Sequence, residues 1–411
     1  MGRKGARLPG GSWPFILVLY AHGVLAIMSV AMLAPLAGKL ARTFPQAPAA
    51  LLGMVMSAPF VAGALLAAVG AGWVGRWGAH LGLRLGTMAI LGADAACLAP
   101  LPLGMLLVAR LAQGIGVMLV LNAVPVWIIA GTRPERRAQA LAVWSTFTSA
   151  AWILGPLLAI PYLGDAGGGA WRGVFAAHGL IAIAALLAGL WLPVAQSPAM
   201  QTDAVADRPS GAIETVTLAP RLALALAMGG MVLSGVGVNI MLPFLAGTRM
   251  GWTATQAAGL VSLLTVLCLL AGIAMGRMLA ITASPRRWLG PLVAVGVAAL
   301  GASFLLKPAA PLLLAALAAW SAVQGAGLAL VMAQIPVIAR DRADRSKLAG
   351  MINQAASLGG LVAPPLFLMV QAPGGLTAVG SLAVACWLIA VIAVCRGQGA
   401  GISPVQAPTP T

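Results

Sequence analysis

The feature that most limits what this chain can become is a succession of uninterrupted apolar runs, each about 20 residues or longer. A helix rises 1.5 Å per residue, so ~20 apolar residues cross a hydrocarbon core ~30 Å thick. Strand-built membrane barrels instead alternate apolar and polar residues over ~10-residue segments, a pattern these runs do not show. Composition excludes the water-soluble alternatives. Only 8% of the 411 residues are charged and 61% are hydrophobic, whereas a soluble domain carries about 25% charged residues to cover its surface. The chain therefore reads as an all-α membrane protein, not a soluble enzyme, a disordered chain or a secreted disulfide scaffold.

Polar punctuation places twelve spans, at 15–37, 49–75, 82–101, 103–130, 138–161, 173–193, 221–246, 254–281, 288–306, 309–338, 348–371 and 375–395. Pro100 and Pro102 mark one hairpin turn, and Pro308 and Pro311 another. The longest polar stretch, 194–220, has the composition of a flexible linker. It divides the chain into 1–193 and 221–411, two expected six-helix bundles. Arg3, Lys4 and Arg7 before the first run resemble a signal peptide, but the run is too long and lacks a small-residue cleavage pattern, so an uncleaved first span is expected. Cys97, Cys268, Cys386 and Cys395 lie in or beside apolar stretches without metal-ligand spacing and read as buried thiols.

With both termini on the cytoplasmic side, 18 Lys and Arg fall in cytoplasmic segments and 5 outside, leaving Arg110 within a span. That asymmetry follows the positive-inside rule. The formal charge of +16 thus reflects topology and attraction to anionic lipid headgroups. It is not a nucleic-acid footprint, because the basic residues sit in short loops without interleaved aromatics.

The two halves repeat each other. Arg110, Gln113, Gly114, Gly116 and Pro125 in span 4 face Ser321, Gln324, Gly325, Gly327 and Pro336 in span 10, all at an offset of 211. Pro35 faces Pro243, and Gly155-Pro156 faces Ala363-Pro364, each at an offset of 208. Six spans return the chain to its starting side, so this is a parallel duplication about an axis along the membrane normal.

The run Arg110-x-x-Gln113-Gly114-x-Gly116 resembles the fourth-helix motif of the major facilitator superfamily. Twelve spans, a polar central loop, the basic loop Arg133-Pro-Glu-Arg-Arg137 and Trp171-Arg172-x-x-Phe175 extend the resemblance over nearly the whole chain. Gly155-Pro156 sits where the superfamily's drug/proton antiporters carry a glycine-rich motif. Two departures stand beside these matches. The loop 2–3 motif appears as Gly72-W-V-Gly75-Arg76-W-Gly78-A-His80 without its Asp, and the glycines before Gly155 are replaced. The resemblance implies alternating access between two bundles around a midplane site.

Polar groups at bilayer depth are costly and mark function. Asp94 in span 3 and Arg110 in span 4 each lie about eight residues, or ~12 Å, from the Pro102 turn. They are expected at matching depth on adjacent helices, as a charge pair for proton coupling or as a static ion pair. The resemblance implies the coupling role for Arg110. Gln113 shares its helix face and can hold the guanidinium or contact substrate. His22 in span 1 titrates near neutral pH and is the alternative coupling residue; His178 ranks below it because the sixth helix lies peripherally in this family. Asn239, Gln324 and Asn353 are candidate substrate contacts as polar residues of the second half, the first two because the family's spans 1, 4, 7 and 10 line its cavity. Trp144, Trp152 and Trp320 could stack a planar substrate or simply pack.

No Walker loop, H-E-x-x-H motif or catalytic triad is present, so neither enzyme activity nor ATP-driven transport within this chain is expected, and no cofactor or metal. The expectation is a monomeric secondary transporter in a bacterial-type inner membrane that exports small lipophilic or organic compounds in exchange for protons. A proton-coupled importer, an organic-anion transporter and a transport-inactive sensor with the same fold are the alternatives.

Overall fold

Side chains that a water-soluble protein would bury face outward here. Leu65, Val108, Leu180, Leu226 and Leu263 are all more than 60% exposed, the arrangement expected when lipid is the solvent. The computed structural model describes residues 8–164, 169–193, 218–280, 285–338 and 342–399. The expected linker from 194 to 217, the basic residues Arg3, Lys4, Arg7, Arg208 and Arg340, and the C-terminal residues from 400 lie outside them.

Each expected span is helical, and prolines and glycines decide where the helices break. Helix α1 (Trp13–Ala31) starts where Ser12 Oγ accepts the Phe15 N–H. It yields at Ala34–Leu36, around Pro35, to a 3₁₀ turn and the short α2 (Ala37–Thr43). Span 2 is two helices, α3 (Ala49–Ser57) and α4 (Pro59–Trp77), bent by 66° at Pro59. Spans 3 and 4 are α5 (Ala79–Leu98) and α6 (Leu103–Gly131). Span 5 is divided into α7 (Pro134–Trp144) and α8 (Phe147–Ala159), and α9 (Gly173–Gly189) forms span 6.

The second half follows with α10 (Leu218–Met250) and α11 (Ala254–Ala280). Helix α12 (Leu289–Leu300) runs into a π-helical turn at Gly301–Leu305. Helices α13 (Ala310–Ala333) and α14 (Ile335–Ile338) share span 10. The long α15 (Arg342–Gly399) carries both last spans, separated by a kink where Gly375 adopts φ 60°; only glycine enters that region without strain. The four cysteines are free thiols.

The chain gathers into two compact units. One holds the described residues within 1–212 with Asn239–Thr265 and Pro364–Met369, the other the described residues within 213–238, 266–363 and 370–411.

In the first unit α5 and α6 touch backbone to backbone. A Cβ added to Gly116 would stand 2.5 Å from the Gly86 carbonyl oxygen, and one added to Gly86 would stand 2.8 Å from that of Gly116. No side chain fits between them, and this contact brings Asp94 opposite the first turns of α6. Gly114 likewise lies against Pro59, where a Cβ would meet the carbonyl oxygen at 2.7 Å. The repeat partner of Gly114 behaves the same way in the second unit, since Gly325 lies directly against the Cys268 carbonyl of α11. The duplicated glycines thus serve close helix packing in both halves, while Arg110 has become Ser321 in the second.

Candidate functional site

Two helix breaks create the acceptors around which the polar site is built. An unbroken helix would bond the Val55 carbonyl to the N–H of residue 59, but that residue is proline and has none. On α1, the Ser29 carbonyl would take the Leu33 N–H, which bonds Val30 instead as the helix tightens ahead of Pro35. Both orphaned carbonyls point at one guanidinium. Arg110 donates Nε–H to Val55 O at 3.0 Å, and Nη2 donates to Ser29 O at 2.8 Å and to Met56 O at 3.3 Å. Its Nη1 donates to Gln113 Oε1, three residues on along α6. The Phe175 ring of α9 lies 5.7 Å from the guanidinium carbon, within cation–π range.

Gln113 carries the network onward. With its oxygen turned to Arg110, its Nε2 donates to Asp94 Oδ1 at 2.7 Å. The other carboxyl oxygen, Oδ2, lies 2.6 Å from His178 Nδ1 on α9, and His178 Nε2 lies 3.0 Å from the Leu25 carbonyl of α1. Arg110, Gln113 and His178 are fully buried and Asp94 is 1% exposed. A buried charge of this kind is tolerated only when its hydrogen-bonding capacity is met. Five helices contribute: movement of α1, α3 or α5 against α6 breaks a specific bond to Arg110 or Gln113, and movement of α9 breaks the contacts of His178 with α5 and α1.

The expected residues therefore divide. Asp94, Arg110 and Gln113 come together in the first unit. Asp94 and Arg110 do not form the direct pair that depth-matching suggested, because Gln113 stands between them and the second carboxyl oxygen of Asp94 meets His178 Nδ1. His178, ranked below His22 because the sixth helix lies peripherally in the family, is the titratable side chain that meets Asp94, since α9 packs against both α5 and α1. His22 stays outside the network: its Nδ1 lies 2.7 Å from Val18 O, one turn back on its own helix.

Trp144 is half-buried, stacks on Phe147 with centroids 4.2 Å apart and covers Gly23 of α1. Trp152 is 6% exposed. In the second unit Trp320 is 3% exposed and packs edge-on against Trp387 at 5.1 Å. Gln324 donates to Met231 O at 2.7 Å, and its buried Oε1 has no partner among the described residues. Asn239 is half-buried and Asn353 exposed.

Comparison with known proteins agrees with this architecture. No curated protein sequence matched the chain. Solved structures do match. A bacterial homologue of the human lysosomal transporter Spinster, in an inward-facing and unoccupied conformation, superposes with a TM-score of 0.76 at 16% identity, covering 94% of this chain and 97% of its own. A D-xylose–proton symporter gives 0.76 at 17% identity, with 95% and 99% covered. The human organic anion transporter MFSD10 (TETRAN) gives 0.62 at 18% identity, with 93% and 99% covered. At these identities the likeness establishes the fold. The sequence profile described as Major Facilitator Superfamily matches residues 19–364. Matched over most of its length and folded as the superfamily's solved transporters are, the chain belongs to the Major Facilitator Superfamily, a non-enzymatic family of multi-pass membrane transporters of small molecules.

Proposed function

We propose that the chain is a proton-coupled exporter of small lipophilic or organic compounds, close to the drug/proton antiporters of its superfamily. The observation that carries this reading is the sealed Arg110–Gln113–Asp94 network, which holds a fully buried guanidinium by bonds to two broken helices. A charge buried in this way is expensive, and a membrane protein that keeps one generally does so for function. The guanidinium already serves four acceptors out of five available N–H groups, which disfavours its use as an open binding site for an anionic substrate. Coupling is assigned to Arg110 and Asp94. Asn239 and Asn353, which have no side-chain hydrogen bond among the described residues, are the substrate contacts we favour in the second half, and Gln324 is a third through its open oxygen. His22 and the tryptophans Trp144 and Trp320 are given packing roles.

The proposed setting is a bacterial-type cytoplasmic membrane, with both termini on the cytoplasmic side, the protein acting as a monomer and residues 1–193 and 221–411 working as its two halves. The excess of basic residues in the segments assigned to the cytoplasm supports that orientation.

Proteoliposomes containing the purified chain and loaded with a lipophilic organic dye test the assignment. An acidic exterior accelerates dye efflux if protons and compound exchange, and retards efflux if they travel together. Dye movement that ignores the gradient contradicts proton coupling, and no movement across a panel of such compounds favours the sensor alternative.

A further inference from the structure

The contact between His178 and Asp94 has a proton requirement that follows from its geometry alone. A backbone carbonyl oxygen can only accept, so His178 Nε2, 3.0 Å from Leu25 O, carries a hydrogen. In a neutral imidazole the other nitrogen, Nδ1, is then a bare lone pair. That nitrogen lies 2.6 Å from Asp94 Oδ2. A lone pair facing an ionised carboxylate at that distance is repulsive, so a hydrogen must lie between the two atoms. It belongs to an imidazolium beside a carboxylate or to a carboxylic acid beside a neutral ring, and in either form the pair holds one proton more than the separated neutral histidine and carboxylate.

We infer that His178 and Asp94 form a one-proton site whose proton latches α9 to α5, and that this proton is the one exchanged during transport. With it bound, the network formed by Arg110, Gln113, Asp94 and His178 carries one net positive charge. Its departure to water breaks the Nδ1–Oδ2 contact, leaves a neutral His178 still donating to Leu25, and leaves a carboxylate whose remaining partner is Gln113. The network is then neutral, and the attraction of Arg110 for Asp94, screened only by a low-dielectric interior, is no longer shared with an imidazolium or masked by a proton. Proton loss therefore releases α9 from α5 while tightening α5 on α6. Both side chains are buried to within 1%, so the proton exchanges only in a conformation that admits water to the pair.

The surroundings hold few groups that could take over this role. From α6 the charged neighbour is Arg110, reached through Gln113. On α5, Cys97 is buried one turn beyond Asp94, with His80 and Arg84 at the far end of that helix. On α1, His22 lies one turn from Leu25 with its Nδ1 engaged by Val18. The α8 helix offers no titratable side chain. Arg172, in the turn before α9, is 5.0 Å from the Trp171 ring and six residues from His178.

The inference rests on the proton-coupled reading for the use of the proton, but its test needs no transport. The chain contains three histidines, so ¹⁵N-histidine labelling of the full-length protein in lipid nanodiscs gives few resonances, and the set missing from H178Q belongs to His178. Across an acid-to-alkaline pH series the wild-type His178 Nδ1 resonance is expected to move in one step as the shared proton leaves. In D94N the amide supplies a permanent N–H to Nδ1, and the resonance is expected to stay fixed over that range. If D94N does not fold, the wild-type titration decides alone. A wild-type Nδ1 signal that is constant over the range, or one that titrates identically in D94N, overturns the inference. A titrating His178 in a protein that moves dye without regard to pH preserves the one-proton site and removes the coupling instead.

Discussion

Replacing Arg110 by alanine is expected to abolish gradient-driven transport and to lower stability at the same time. The guanidinium satisfies the Val55, Met56 and Ser29 carbonyls and the Gln113 oxygen, and truncation strands all four in a fully buried site. Each buried acceptor left unmet costs about 1–3 kcal/mol, not additively. The two helix breaks at Pro35 and Pro59 then lose the cross-link that joins them. Arg110→Lys separates the two effects, because it keeps the charge while a compact ammonium cannot span carbonyls on two helices in fixed directions. We expect the lysine variant to recover part of the thermal stability lost by alanine and none of the transport. Thermal unfolding in detergent and dye efflux from proteoliposomes read the two outcomes, and full transport in Arg110→Ala would refute the role given to this residue.

The second large effect is expected from Gln113→Glu, a change that keeps the shape of the side chain. Gln113 accepts from Arg110 with its oxygen and donates to Asp94 with its nitrogen, so it joins two groups that would otherwise be a direct ion pair. A glutamate keeps the first bond and loses the second. Its second oxygen would then face Asp94 Oδ1 at a distance now held by a 2.7 Å hydrogen bond, where two carboxylates cannot both stay ionised and one proton is retained between them. That extra proton changes the charge the network carries, so the pH profile of transport is expected to differ from that of the wild type. Gln113→Leu removes both bonds and is expected to stop transport outright. A Gln113→Glu profile that coincides with the wild type would mean that the amide is a spectator.

Much of this was readable from the chain before any coordinates. Long apolar runs dictated helices, and Pro100, Pro102, Pro308 and Pro311 marked two of the turns between them, whereas the breaks inside the second and fifth spans, at Pro59 and at Ser145-Thr146, went unread. The 211-residue offset between Gln113-Gly114 and Gln324-Gly325 announced a duplication, and the structure adds that both glycines lie against a neighbouring backbone. Depth from the Pro102 turn set Asp94 level with Arg110, and the three-residue spacing set Gln113 on the same face.

His178 escaped for a reason that residue spacing could have exposed. It lies six residues beyond Arg172, or ~9 Å along α9, against ~12 Å for Asp94 from its own turn. The same depth argument applied to span 6 therefore brings the two together, had that helix not been set aside as peripheral. The acceptors on Arg110 were harder to foresee. Pro59 announces that the Val55 carbonyl lacks its helical partner, but no spacing rule says which distant side chain will turn to fill it. Trp320 shows the opposite failure: an aromatic side chain in an apolar chain is equally suited to a ligand and to Trp387, and only packing decides.

The central claim is that compound movement through this chain is tied to proton movement. It is tested most directly by trapping a pH-sensitive fluorophore inside proteoliposomes that hold the purified protein, starting with no pH difference, and adding an outward gradient of a compound the chain carries. The account predicts that the lumen acidifies as the compound leaves, and that D94N and Arg110→Ala abolish this acidification. Compound efflux at an unchanged internal pH would contradict it.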